Sequence, residues 1–222
     1  MVDTVLQAHK VHAPGQILSW TGRVRMSGNA QKLYCILALS VILLGFPRTP
    51  LGTYAVQAAS TVYDVVSPEI LQPGSPIPHP TEPVVLIVRG RLGLAHAAAG
   101  VTFDMPTLEH LGLIRFTTPT AWTDGLVTFD GVLLSRLLQV LAVPSDVTTL
   151  AMTALNDYQV AIPATDVRTW PVIIALKRDG QYMSVRNKGP LWVVYPRHAF
   201  PELAQAKHNP KWIWQLKEIV IR

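Results

Sequence analysis

Apolar and polar residues alternate along the chain in short blocks. The length and period of each block predict its element. Residues 84–88, Val-Val-Leu-Ile-Val, form a continuous apolar run that stops at Gly90, which predicts a buried strand. After a break at 102–107, Thr107 is placed to cap a short helix over 108–113. Residues 115–118 read as a strand ended by Pro119. Between Gly131 and Ala142 the apolar positions 133, 134, 137, 138 and 141 keep helical spacing and predict an amphipathic helix. Strands follow over 147–155 and 158–162, separated by a turn at Asn156-Asp157 and closed by Pro163. Thr165-Asp166 can cap one short helical turn. Residues 172–177 predict a strand, Asp179-Gly180 a hairpin turn, 191–195 another strand and 217–221 a final edge strand. Strands outnumber helices and alternate with them irregularly, so the fold class is α+β, a single mixed-sheet domain over 83–222.

The N-terminal third has a different character. Residues 33–46 are apolar, short of what a ~30 Å hydrocarbon core requires of a helix. Lys32 precedes them and the small residues 54–60 follow, as in a secretory signal with a cut after Ala58. Translation from Met26 would give that signal an ordinary n-region and make 1–25 a mis-assigned extension. The expected organisation is therefore an extension at 1–25, a signal peptide or uncleaved anchor at 26–59, a proline-rich linker at 60–82 and the domain at 83–222. A buried core helix over 33–46 is the alternative. The expected location is periplasmic or otherwise exported, with membrane contact only through the N-terminal segment.

An apolar fraction of 49% with 15% charged residues fits a folded globular chain. The net charge is +5, and from Arg168 to Arg222 ten Lys and Arg stand against three Asp and Glu. That excess suits a small anionic cofactor or substrate, or is a solvated basic surface. No recognition helix, zinc knuckle or RNP-type pattern accompanies it, so nucleic acid is not expected as a partner. The single cysteine, Cys35, lies in the apolar run, which leaves the domain without a disulfide or a thiol ligand. His9, His12, His79, His96, His110, His198 and His208 are scattered, so no metal site is expected.

Three stretches could carry chemistry. Thr117-Thr118 leads through Pro119 to Trp122. Asn156-Asp157-Tyr158 offers amide donors and a carboxylate for a polar heterocycle, or is a plain turn. Arg186 and Lys188, in a loop before Gly189-Pro190, could hold a pyrophosphate-type group, or belong to a solvated hairpin.

The order of these landmarks, from Val-Val-Leu-Ile-Val-Arg-Gly at 84–90 through Trp-Thr-Asp-Gly at 122–125 to Gly-Pro-Leu-Trp-Val-Val-Tyr-Pro at 189–196, resembles the molybdopterin-binding oxidoreductase domain of the sulfite oxidase type. The resemblance implies that fold, a molybdopterin cofactor and a metal-ligating cysteine shortly before the tryptophan. Aligned on Trp122, the cysteine's place falls on or near Thr118, whose hydroxyl is a poor ligand for a soft, oxo-rich metal. The resemblance points to Thr118, Trp122, Asn156, Asp157 and Tyr158 as cofactor-contacting positions, and the charge of Arg186 and Lys188 adds those two; catalytic residues are not identified. Two readings stay open: an exported molybdopterin-dependent oxidoreductase-like protein that lacks the cysteine ligand, and a non-catalytic periplasmic binding or interaction module that keeps the fold. A redox or sensory protein is the macromolecular partner expected for either.

Overall fold

The computed structural model describes residues 62–94 and 99–222; the expected extension, the export or anchor segment, Cys35 and His96 lie outside them. The elements are β1 (Asp64–Val65), β2 (Leu86–Gly90), β3 (Val101–Phe103), α1 (Met105–Glu109), β4 (Ile114–Pro119), β5 (Leu126–Leu133), α2 (Leu134–Val140), β6 (Thr149–Ala154), β7 (Gln159–Pro163), α3 (Ala164–Thr169), β8 (Ile173–Arg178), β9 (Gln181–Tyr182), β10 (Trp192–Val194) and β11 (Leu216–Ile221). Short 3₁₀ turns at Val185–Asn187, Pro201–Ala204 and Ala206–Lys211 complete the order. One sheet runs β1-β4-β5-β8-β10 with β9 paired to β8, and the other runs β3-β2-β11-β6-β7. Mixed sheets with few helices make this an α+β domain.

Pattern explains most of these strands. In β6, Leu150, Met152 and Ala154 are buried while Thr149, Ala151 and Thr153 are partly exposed, the period of two that fixes one face to the core. β4 alternates in the same way, with Ile114, Phe116 and Thr118 inward and Arg115 and Thr117 outward. In β8, Ile173, Ile174, Ala175 and Leu176 are all buried, as expected of a strand covered on both faces. Side chains from both sheets and α2 join in one hydrophobic core, each fully buried Leu, Ile or Val contributing about 1.5–3 kcal/mol. At the predicted hairpin, Asp179 and Gly180 both have positive φ, 49° and 79°, between Arg178 and Gln181 in register. That is the two-residue loop whose twist suits paired antiparallel strands.

The structure corrects four of the expected elements. The first helix is Met105–Glu109, one turn earlier than read, and its N-cap is Asp104, which accepts from the Thr107 N–H at 2.9 Å. The helix expected from Gly131 begins at Leu134, because residues 131–133 finish β5. A side chain at Gly131 would meet the Ile174 carbonyl at 2.4 Å, so only glycine admits β8 this closely. Residues 102 and 103, read as part of a break, belong with Val101 to the edge strand β3. Finally, β11 is central and not an edge: it pairs in parallel with β2 and antiparallel with β6.

The described part of the proline-rich approach is tied along the domain. The Val66 N–H donates to the Leu113 carbonyl and the Ile70 and Leu71 N–H groups to that of His110. Leu71 is buried. Further along, the Thr81 and Glu82 N–H groups donate to Asp104 at 2.7 and 3.1 Å. The two sheets meet where β10 turns towards β11: Trp192 bridges Trp214, and the Val193 N–H donates to the Ile213 carbonyl. This junction positions the candidate site.

Candidate functional site

Four tryptophans converge at the junction. The Trp122 ring centroid lies 5.2 Å from Trp214, 6.2 Å from Trp212 and 6.4 Å from Trp192, in tilted or edge-to-face arrangements. Trp192 is fully buried and packs edge-on against Phe129 at 5.3 Å. Trp122 sits on a loop shaped by local hydroxyls. Its N–H donates to the Thr120 hydroxyl at 3.0 Å, and Thr120 and Thr123 share a 2.8 Å hydrogen bond. Part of the Trp122 ring surface is left open to solvent.

Beside this cluster lies a cavity of about 460 Å³, within the ~300–1,000 Å³ of small-molecule sites. Trp122, Trp212, Trp214 and Tyr158 give it aromatic walls; Ala154, Ala206, Pro210 and Ile213 add apolar surface. Among the described lining residues the polar groups are the Asn156 and Asn209 amides, the Tyr158 hydroxyl and the indole N–H groups of the tryptophans, and none of these residues is charged.

The expected turn supplies one wall. Asp157 has φ 62° and its N–H donates to the Ala154 carbonyl at 3.0 Å. The Asn156 side-chain oxygen accepts from the Tyr158 N–H at 3.2 Å, which leaves its amide NH₂ free to donate. Asp157 itself pairs with Lys217 at 2.7 Å and does not line the cavity. The Tyr158 hydroxyl donates to the Pro210 carbonyl at 3.2 Å and so joins the turn to the opposite wall.

That opposite wall is the segment 206–213, anchored from behind. Lys211 Nζ lies 2.7 Å from the Asp166 carboxylate, which also accepts from the Tyr195 hydroxyl at 3.0 Å. Tyr195 stacks on Trp212, with centroids 6.0 Å apart and an interplanar angle of 29°. Burial, reinforced by the Asp166 carboxylate, pushes the Tyr195 hydroxyl well above its usual range, so it stays a donor. His208 is buried edge-on to Trp170, and its Nδ1 has no partner among the described residues. Burial first, and then the Lys211 charge, depress its pKa and hold it neutral.

The structure thus gathers Trp122, Asn156 and Tyr158 at one cavity. The other expected positions fall elsewhere. Thr118 is fully buried within the β4–β5 ladder, and its hydroxyl accepts from the His198 N–H at 3.0 Å. Lys188, at φ 70°, places its Nζ 5.3 Å from the Trp214 ring centroid and 5.8 Å from that of Trp192. Arg186 is exposed in the neighbouring 3₁₀ turn. Neither cation lines the cavity, so the pair does not form a phosphate cradle there. Sequence reasoning missed Asn209 and Trp212; the tryptophans at 212 and 214, spaced by two shortly after Pro210, are the signal that marks this wall.

The geometry does not fit a thiolate-ligated molybdenum centre. The Thr118 hydroxyl at the expected ligand position is buried and engaged, and among the described residues that line the cavity there is no thiolate, carboxylate or imidazole and no cation to meet a phosphate. Among the described residues no three His, Cys, Asp or Glu cluster as a metal site would require.

No protein-family model matches the chain, and no curated protein matches its sequence. Among solved structures, the chain is similar to the sulfane dehydrogenase SoxCD from Paracoccus pantotrophus, with a TM-score of 0.47 and 16% identity, over 61% of this chain and 37% of that one.

Proposed function

We propose that this domain is a non-catalytic binding module that takes a small flat molecule into its aromatic-walled cavity. The observation that carries this reading is the chemistry of the lining: three tryptophans and a tyrosine, two asparagine amides, and, among the described lining residues, no carboxylate, imidazole, thiol or amine. Aromatic walls hold a ring by contact area and offset stacking, each aromatic pair adding about 0.5–1.5 kcal/mol beyond burial. The amides fix the ring's orientation. The architecture implied by the resemblance to molybdopterin-binding oxidoreductase domains is retained in this reading without the metal chemistry.

A second reading, an oxidoreductase or a remnant of one that binds molybdopterin, draws on the convergence of Trp122, Asn156 and Tyr158, which that resemblance places at the cofactor mouth. It would require the pterin to be held without a thiolate on the metal and without a cation at the cavity wall. Metal analysis of protein purified from a molybdopterin-competent host separates the two readings. The binding module carries no stoichiometric molybdenum and does not turn over sulfite or a sulfoxide, whereas both findings together establish the enzyme.

Export belongs to the proposal and rests on the apolar run 33–46 with its small-residue sequel. N-terminal sequencing of native protein gives a start near residue 59 if the signal is cleaved. An intact Met1 or Met26 on a cytoplasmic product contradicts export, and the same start on a membrane fraction identifies an anchor.

A further inference from the structure

We infer that the cavity selects an uncharged, flat heteroaromatic molecule that presents hydrogen-bond acceptors along one edge; this rests on the reading of the cavity as a ligand site. The selection follows from how the surrounding charges are already committed. Asp157 is neutralised by Lys217 at 2.7 Å, and Lys211 by Asp166 at 2.7 Å. Lys188 lies over the rings of Trp192 and Trp214 and so occupies π-surface on one of the four aromatic residues of the lining, Trp214. Beyond those pairs the ionised side chains nearest in sequence to the lining are Lys207, beside Ala206, and Asp124, two residues from Trp122, and neither lines the cavity. A cationic ligand would find no carboxylate among the described lining residues to pair with.

An anionic ligand fares no better inside. The Lys188 ammonium is turned to the tryptophans, and no lining side chain offers a charge-assisted donor. An anion drawn into such a lining leaves water for aromatic carbon and two neutral amides, which do not compensate a full charge.

The polar groups that do face the cavity define the edge that is read. Asn156 has spent its side-chain oxygen on the Tyr158 N–H, so it presents an NH₂. The Tyr158 hydroxyl has spent its proton on Pro210. Asn209 is half-buried with an amide at the wall. Two amide donors beside aromatic faces suit ring nitrogens or a carboxamide oxygen in the ring plane.

A matched set of probes tests the inference: quinoline-3-carboxamide, quinoline-3-carboxylate and the N-methylquinolinium carboxamide, titrated into the purified chain by tryptophan fluorescence and by calorimetry. The neutral amide should bind at least tenfold more tightly than either charged relative. Trp122→Ala should abolish its binding, and Asn209→Ala should weaken it about 2–12-fold with unchanged circular dichroism, the loss of one net hydrogen bond. Tightest binding of the cation or the anion, still lost in Trp122→Ala, overturns the inferred class and spares the ligand-site reading. Equal binding of all three, or binding of the amide unaffected by both variants, also overturns the class. Failure of all three probes to bind overturns the class and counts against the ligand-site reading with it.

Discussion

Replacing Asp166 by alanine should destabilise the domain by about 2–3 kcal/mol. Its carboxylate is nearly buried and serves two partners, the Lys211 ammonium at 2.7 Å and the Tyr195 hydroxyl at 3.0 Å. Removing one member of a buried pair typically costs ~3–5 kcal/mol, because the other charge stays desolvated. Here the Lys211 side chain keeps 18% of its exposure and can lean towards water, which brings the expected cost to about 2–3 kcal/mol. In thermal unfolding that is a fall in Tm of about 4–12 °C for a domain of this size. Asp166→Asn should cost less, since an amide oxygen still accepts from Tyr195. Combining Asp166→Asn with Lys211→Met in urea unfolding should reveal a coupling of about 0.5–3 kcal/mol. The wall 206–213 depends on this anchor, so Asp166→Ala should also change the emission of Trp212, whose ring stacks on Tyr195. A stability within about 0.5 kcal/mol of wild type, or a coupling of zero, would refute the claim that the pair holds the wall.

Three further outcomes follow from other buried polar groups. Burial would raise the Asp104 pKa, but donors at Thr107, Glu82 and Thr81 more than offset it and hold the carboxyl well below its usual range. The stability it contributes is complete above pH ~3.9 and falls away as the pH drops further, and Asp104→Ala should cost about 2–4 kcal/mol in urea unfolding at pH 7 and flatten that acid limb. His208 has a depressed pKa in the fold, so the unfolded chain takes up its proton first; stability should decline below about pH 6.5, and His208→Gln should reduce that slope in pH-dependent melting. Thr118→Val should cost about 1–3 kcal/mol by leaving the His198 N–H without its acceptor, with binding at the cavity unchanged, as read by urea unfolding and a probe titration.

The fold was largely legible where one strand's own pattern decides its burial. The alternation in β6 and the continuous apolar run in β8 are of this kind. It was illegible where a partner from another part of the chain decides. Asp130 and Gly131 make 126–133 look unlike a strand. Yet Asp130 is neutralised by Arg115, its register partner on β4, at 2.6 and 2.8 Å, and Gly131 is needed for the approach of β8. Likewise Lys217 and Glu218 give the last strand an edge-like polarity, while Leu216, Ile219 and Ile221 bury it at the centre of its sheet. Of the site, the 156–158 turn could be named because turn chemistry is a local signal, and Trp122 because of the resemblance to the molybdopterin-binding family. The 206–213 wall could not, since Lys211, Asn209 and Pro210 read as a solvated loop until Asp166 and Tyr195 are brought beneath them. Arg186 and Lys188, two cations two residues apart, suggested convergence; the backbone at Lys188 is αL and its ammonium lies over the Trp214 ring, a placement that the sequence pattern does not show.

The most direct test is a paired measurement on one preparation of the wild-type chain from a molybdopterin-competent host: molybdenum per chain, with turnover of sulfite or a sulfoxide, and quenching of tryptophan emission by quinoline-3-carboxamide. The binding-module account predicts molybdenum at background, no turnover, and saturable quenching that Trp122→Ala removes. Thr118→Cys should leave the metal content at background too, because that side chain is sealed beneath the ladder. Stoichiometric molybdenum with turnover in the wild-type chain would contradict the account.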